Sequence, residues 1–314
     1  MKVPLFPESA STIAASVDWL YFFLVGMSVF FLVVIFLPMT FFLFKFRQGQ
    51  PADRSPVRAS TTAIEVTWTV LPLLMALGIF GWASVVYFKM TVPPPNTSEI
   101  NVVAKQWMWK VQHQEGNREI NELHLPVGQA VRLTMASEDV IHSFYIPAFR
   151  VKQDVVPGRF TTEWFKPTKV GQYHLFCAEY CGTDHSKMIG RISVMEPNDY
   201  QAWLNQGSVG DTLAQTGARL FRELGCSGCH MGLGTVRAPR LEGIYGKRVP
   251  LQDGQFVKAD DMYIRDSILL PASQVAAGYE PVMPTFQGRV TEEELLQLVA
   301  FIRSLGNRQP EELR

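Results

Sequence analysis

The sequence predicts a multidomain membrane protein in which a two-helix transmembrane hairpin precedes an all-β domain and an all-α domain. Three observations predict this order: two long apolar runs near the N-terminus, a central stretch of short alternating segments, and C-terminal amphipathic segments of helical period. The 314 residues include 29 basic and 29 acidic side chains, and only 18% are charged. This balance argues against a nucleic-acid partner, which needs a basic excess, and against a disordered chain.

The apolar runs Trp19–Phe44 and Val66–Phe88 contain no charged residue. Each exceeds the roughly 20 residues that a helix needs to cross a bilayer, so we expect helices at about 17–45 and 64–89, within an N-terminal region of residues 1–96. The connection between them carries the basic residues Lys45, Arg47, Arg54 and Arg58. The positive-inside rule makes this connection cytoplasmic, which predicts a bacterial inner-membrane protein with both termini and both later domains on the periplasmic side.

Two further domains are expected after the hairpin. Residues 97–205 contain short alternating segments, such as Val131, Leu133 and Met135, which predict a sandwich or barrel of antiparallel strands. Residues 206–314 begin with a short linker and then return to a helical period. Basic and acidic residues nearly balance within each of the three regions.

The β domain contains a loop rich in sulfur and imidazole, Cys177-Ala-Glu-Tyr-Cys181-Gly-Thr-Asp-His185-Ser-Lys-Met188, with His142 upstream. Thiolate, thioether and imidazole ligands together prefer copper to hard cations. A mononuclear blue-copper site needs one cysteine, so the second thiol allows two metal ions. The alternative is a disulfide between the two cysteines.

The helical domain contains Cys226-Ser-Gly-Cys229-His230, the attachment pattern of a c-type haem. A redox-active or zinc-binding cysteine pair is the alternative, but the adjacent histidine and the helical surroundings favour haem. We predict Met283, which lies between Val282 and Pro284, as the second axial ligand. Met262 is the competing sulfur ligand.

These motifs resemble subunit II of the haem–copper cytochrome c oxidases over about residues 15–205, and residues 213–307 resemble a class I cytochrome c. The resemblance implies that the all-β domain is cupredoxin-like and that it carries a dinuclear Cu-A centre, in which two cysteines bridge both coppers and each histidine binds one of them. The implied ligands are His142, Cys177, the backbone carbonyl of Glu179, Cys181, His185 and Met188. It also implies that the carbonyl of Pro239 holds the proximal His230.

Three further roles follow from the same resemblance. Trp107 in Gln-Trp-Met-Trp resembles the aromatic residue through which electrons enter, although an ordinary strand aromatic has the same pattern. The Glu179 side chain corresponds to one that helps to bind magnesium at the contact with subunit I. Glu65 resembles the glutamate at the entrance of a proton channel, although Thr62 and Glu65 also have the spacing of a capping box.

We therefore expect an electron-entry subunit of a cytochrome-c oxidase, with no catalytic residue of its own. Cytochrome c or another redox donor reduces one covalent haem c, which passes electrons to the two coppers. Subunit I, with haem a and Cu-B, then reduces oxygen to water with proton translocation. The alternatives are the electron-entry subunit of a Cu-A nitric-oxide reductase and a membrane-tethered carrier independent of an oxidase. The balanced charge suggests that an attached cytochrome does not require a strongly charged docking face.

Overall fold

The computed structural model describes residues 6–51, 61–207, 211–231 and 238–306. Arg54 and Arg58, on which the expected orientation partly depends, lie outside these residues. Contacts divide the described chain into two compact units, one of residues 12–92 and one that joins residues 6–11 to the chain from residue 93 onward.

The first unit is a hairpin of two long helices, α1 (Ala14–Lys45) and α2 (Thr62–Thr91). At 1.5 Å per residue each is about 45 Å long, more than the thickness of a bilayer core. Most of their large apolar side chains are exposed rather than packed in a protein core. Both helices are long and apolar enough to cross a membrane, as the sequence predicts.

The start of α2 differs in detail from the expected capping box. The helix begins after Thr61, whose hydroxyl donates to the Glu65 carboxylate at 2.6 Å. Thr62 is already the first helical residue, one position too late to act as the N-cap. The capping box predicted between Thr62 and Glu65 is therefore wrong, because helix-start spacing alone does not specify which of two adjacent threonines is the cap.

The second unit contains a sandwich of two five-stranded sheets, with strand orders β3-β2-β1-β5-β8 and β4-β10-β9-β6-β7. The strands are β1 (Ser98–Lys105), β2 (Met108–His113), β3 (Arg118–Ile120), β4 (Glu122–Pro126), β5 (Val131–Ser137), β6 (His142–Ile146), β7 (Val151–Val155), β8 (Thr161–Phe165), β9 (Gly171–Cys177) and β10 (Ile189–Met195). The pairings of β1 with β5 and of β4 with β10 are parallel, whereas the sequence predicted antiparallel strands. Alternation reports which side chains are buried, not the direction of the neighbouring strand.

Strand β9 shows how alternation positions the sulfur loop. Tyr173, Leu175 and Cys177 face the core, whereas His174 and Phe176 point outward. Because side chains in a strand alternate between faces, the last residue of β9 brings its thiol to the buried side as the loop begins.

Helix α3 (Pro197–Gly207) follows β10 and packs on the edge of the sandwich. The Trp203 ring stacks on the His124 ring with centroids 4.5 Å apart. The Glu119 carboxylate lies between two imidazoles, 2.8 Å from His113 Nε2 and 2.5 Å from His124 Nδ1. This cluster attaches α3 to strands β2, β3 and β4.

The C-terminal domain is built mainly from helices, α4 (Leu213–Glu223), α5 (Ser227–His230), α6 (Asp261–Leu269) and α7 (Glu292–Ser304), with a hairpin of β11 (Arg248–Pro250) and β12 (Phe256–Lys258). Helices α4 and α7 cross at Gly217, where a Cβ atom would lie 2.0 Å from the Gln297 carbonyl oxygen. Glycine therefore permits the close approach that brings the Phe221 and Phe301 rings within 5.2 Å.

Candidate functional site

The sulfur loop, residues 177–188, brings its predicted ligands together. The Cys177 and Cys181 Sγ atoms are 3.8 Å apart, too far for a disulfide bond of about 2 Å, and both cysteines are free. Cys181 Sγ lies 3.3 Å from His185 Nδ1 and 3.8 Å from Met188 Sδ. The Glu179 carbonyl oxygen is 3.2 Å from Cys177 Sγ.

His142 joins this loop from the start of β6, 35 residues away in sequence. Its Nδ1 lies 3.9 Å from Cys177 Sγ. Ligand atoms of His142, Cys177 and Cys181 all lie within 4.8 Å of one another, close enough to share a metal ion. His142 and Met188 are almost fully buried, whereas His185 is half-buried. The site is therefore shielded from water at His142 and Met188 and lies near the protein surface at His185.

The other imidazole nitrogen of His142 is held by a carboxylate that the sequence reasoning missed. Asp139 Oδ1 is 2.8 Å from His142 Nε2, so Nδ1 is directed at the sulfur atoms. Asp139 also accepts a hydrogen bond from the Gln106 backbone N–H at 2.8 Å. A carboxylate that orients a ligand histidine is a common feature of metal sites, and its signal in the sequence was an acidic residue three positions before the histidine.

The two thiols have very different acidities. Burial raises the pKa of Cys177, but the hydrogen bond from His142 and others from backbone N–H groups lower it to about 6. Burial and the neighbouring Cys177 thiolate raise the pKa of Cys181 to about 12. Cys177 is therefore the more acidic of the two thiols, and both sulfurs would have to be deprotonated to bind a metal ion. Soft donors in this number, lying together, fit copper.

Trp107 lies against the sulfur loop. A Cβ atom on Gly182 would be 3.3 Å from Trp107 Cζ2, and the Gln106 side chain donates to the Cys181 carbonyl at 2.7 Å. The indole is half-buried and therefore also reaches the protein surface. The Glu179 side chain is exposed next to the same loop.

The haem motif lies at an apolar crevice of the C-terminal domain. Cys226, Cys229, His230 and Met283 all line it, whereas Met262 does not. His230 Nδ1 donates to the Pro239 carbonyl at 2.8 Å, so iron would be bound through Nε2. The further lining residues include Phe221, Leu241, Ile264, Ile268, Pro284, Leu298 and Ile302.

The composition of the crevice fits a c-type haem. Its walls are mainly apolar, and two thiols, one imidazole and one thioether open onto the same space. Gln274 also lines the crevice and carries a buried Oε1 atom without a hydrogen-bond partner among the described residues. A large planar group with polar edges would fill this space.

Comparison with known proteins agrees with both sites. Residues 2–83 match the transmembrane domain of cytochrome c oxidase subunit II, residues 117–195 match its periplasmic domain, and residues 214–306 match cytochrome c.

A cytochrome c oxidase subunit 2 from Alkalihalophilus pseudofirmus is 31% identical over 288 residues, which cover 87% of this chain and 82% of the relative. An alternative cytochrome c oxidase subunit 2 from Bradyrhizobium diazoefficiens is 29% identical, covering 57% of this chain and 74% of the relative. The solved periplasmic domain of cytochrome oxidase subunit II from Bradyrhizobium japonicum is 31% identical, with 37% of this chain and 96% of that chain covered and a TM-score of 0.36.

The helical hairpin, the sandwich with its sulfur loop and the haem-attachment domain thus overlap the three matched regions of this chain. The chain is a two-pass membrane protein with a Cu-A domain and a haem c domain, and it belongs to the cytochrome c oxidase subunit 2 family, whose members pair with subunit I of a haem–copper oxidase.

Proposed function

We propose that this subunit is where electrons enter its oxidase, through a haem c and then a Cu-A pair. The observation that carries the proposal is the convergence of two thiols, two imidazoles and a thioether on one partly buried loop. Such a donor set has no ordinary structural purpose, and no disulfide explains it.

In the copper site, Cys177, Cys181, His142 and His185 would hold two coppers. Met188 and the Glu179 carbonyl complete the set. When bound, the copper pair supplies a one-electron carrier. Asp139 keeps His142 Nδ1 directed at the sulfurs.

In the haem site, Cys226 and Cys229 would attach the haem covalently, and His230 and Met283 would bind its iron. Methionine and histidine ligation raises the reduction potential of haem into a range that suits electron transfer. The Pro239 carbonyl fixes the orientation of the His230 ring. The apolar walls of the crevice would exclude water from a haem bound there.

We assign the remaining roles to the contact with subunit I. Trp107 passes electrons toward the copper pair, the Glu179 carboxylate joins a magnesium ion with ligands from subunit I, and Glu65 lies at a proton-channel entrance. Electrons continue to haem a and Cu-B, where oxygen is reduced to water with proton translocation. Both redox domains face the periplasm, where cytochrome c or another donor reaches them.

A direct test is metal and haem analysis of the isolated complex. We expect two coppers and one covalent haem per chain. Cys181→Ser should lose the copper pair and keep the haem, whereas the control His174→Ala, an exposed residue on the same strand as Cys177, should keep both. A single copper per wild-type chain, or haem that acidic solvent extracts, would contradict the proposal.

A nitric-oxide reductase with a similar entry subunit is the nearest alternative, and a carrier independent of an oxidase is another. Membership of the oxidase subunit 2 family favours the oxidase. Purification of the complex and measurement of gas consumption separates the three. A partner that consumes nitric oxide but not oxygen, or the absence of a haem–copper partner, would decide against the oxidase.

A further inference from the structure

The sandwich and the C-terminal domain meet along a seam, by which we mean the contacts that join β1, β5 and the β7–β8 loop to α6 and α7. At its centre Val103, Ala136 and Phe160 of the sandwich are buried in the hydrophobic cluster of the C-terminal domain. The Phe160 backbone N–H donates to Met262 Sδ at 3.2 Å. Arg265 donates to the Gly158 carbonyl at 2.6 Å.

Four charged side chains of alternating sign flank this centre. Glu99 and Arg132 come from the sandwich, and Asp261 and Arg303 come from the C-terminal domain. Arg132 contacts both Glu99 and Asp261 at 3.1 Å, and Arg303 contacts Asp261 at 2.6 Å and also Glu99. Their charges cancel, so the seam is complementary without a net charge on either domain. Partly buried pairs of this kind constrain geometry, which fixes the C-terminal domain in one position.

Helix α6 connects the seam to the haem crevice. Met262 lies on the seam, whereas its neighbours Tyr263 and Ile264 line the crevice. Consecutive residues of a helix point in directions about 100° apart, so this one element has a face toward each domain. The sulfur atom that competed for the iron instead contacts the sandwich, at the Phe160 backbone N–H.

On the sandwich side the seam leads to the sulfur loop. Ala136, buried at the seam, precedes Ser137, which forms an isolated bridge with Pro157 near the start of the Phe160 loop. Asp139 follows two residues later and holds His142 Nε2 at 2.8 Å. Packed atoms, covalent bonds and hydrogen bonds thus run without a break from the crevice wall to a predicted copper ligand.

We propose that electrons cross between the two domains at the contact of Met262 with Phe160. This inference rests on the proposed function, because it requires haem c in the crevice and copper in the loop. One electron moves in each event: ferrous haem c is oxidised to the ferric state and the copper pair is reduced by that electron. No bond is formed or broken, and no proton is transferred.

The contact itself is tested without turnover. In the full oxidase, Met262→Leu keeps the apolar volume and removes the sulfur acceptor. We expect amide hydrogen exchange at Phe160 to accelerate about fivefold, the factor that corresponds to a hydrogen bond of ordinary net strength. The control Met195→Leu should leave it unchanged. Equal exchange in the two variants would show that the thioether does not hold the Phe160 amide and would overturn the proposed contact.

The crossing point is tested by flash reduction of the haem and observation of the copper absorbance. Transfer from haem to copper should be slower in Met262→Leu than in wild type and Met195→Leu. An unchanged rate in Met262→Leu would overturn the inference, and slowing confined to Trp107→Phe would assign the crossing to Trp107 instead. Absence of haem-to-copper transfer in the wild type is a different result, because it would refute the proposed function itself.

Discussion

Substitution of Gly217 by alanine tests how tightly α4 and α7 must pack around the haem crevice. The new Cβ would lie 2.0 Å from the Gln297 carbonyl oxygen, an atom of the helix backbone that cannot rotate away. Overpacking of a core costs about 1–3 kcal/mol, and a backbone obstacle places this change near the upper end. Alanine recovers about 1 kcal/mol of helix propensity over glycine. The net loss of unfolding free energy is therefore about 2 kcal/mol.

A loss of this size lowers the midpoint of thermal unfolding by roughly 8–16 °C for a domain of about 100 residues. The change should be visible as earlier loss of the haem absorbance in a thermal scan of the full chain, because Leu298 and Ile302 of α7 line the crevice. Arg222→Ala is the control, since Arg222 is exposed on the same helix and does not line the crevice. Equal midpoints for the two variants would refute the packing argument.

Three further changes test the two sites and the attachment of α3. Met283→Ala should keep the covalent haem but lose its low-spin spectrum and lower its potential, whereas Met262→Ala should keep both; an unaltered spectrum in Met283→Ala would mean another axial ligand. Asp139→Asn should weaken copper binding about 10–100-fold in a chelator competition, and unchanged affinity would remove its orienting role. The third change is Glu119→Gln. In the wild type, the hydrogen bond with Glu119 raises the pKa of His124. The stability that the Glu119–His124 pair contributes is therefore present below about pH 6.5 and is lost as the pH rises through the pKa of His124 in the folded state. The unfolding free energy measured with urea should fall over this pH range in the wild type and not in Glu119→Gln. The same pH dependence in both proteins would exclude the Glu119–His124 pair as the cause of the loss.

The cluster of His113, Glu119 and His124 also limits the stability of the fold at acid pH. Burial raises the pKa of Glu119, but hydrogen bonds from His113 and His124 lower it to about 2. The contribution of the Glu119 carboxylate to stability is therefore present above pH 4.5 and is lost as the pH falls toward 2. The sequence offered no sign of this cluster, because its members come from β2, β3 and β4 and meet only when the sheet edges meet.

Features that depend on neighbouring residues could be predicted from the sequence. The apolar length of α1 and α2, the spacing of Cys177 and Cys181 and the attachment motif at Cys226 are all local patterns, and each has a direct physical meaning. The position of Met283 in the crevice agrees with its prediction as a ligand, while the ligand roles themselves stay predictions.

Features that depend on distant residues required the tertiary structure. The approach of His142 to Cys177, the carboxylate of Asp139 behind it, and the contact between Met262 and Phe160 all join segments separated by turns and sheets. The direction of Met262 is the clearest case. Its sulfur suits iron as well as a backbone N–H, and only the packing of α6 between crevice and sandwich decides which of the two it contacts. Local chemistry thus determined which groups this protein carries, and long-range packing decided which of them meet, because burial and hydrogen bonding between distant segments select one arrangement among those that the local pattern allows.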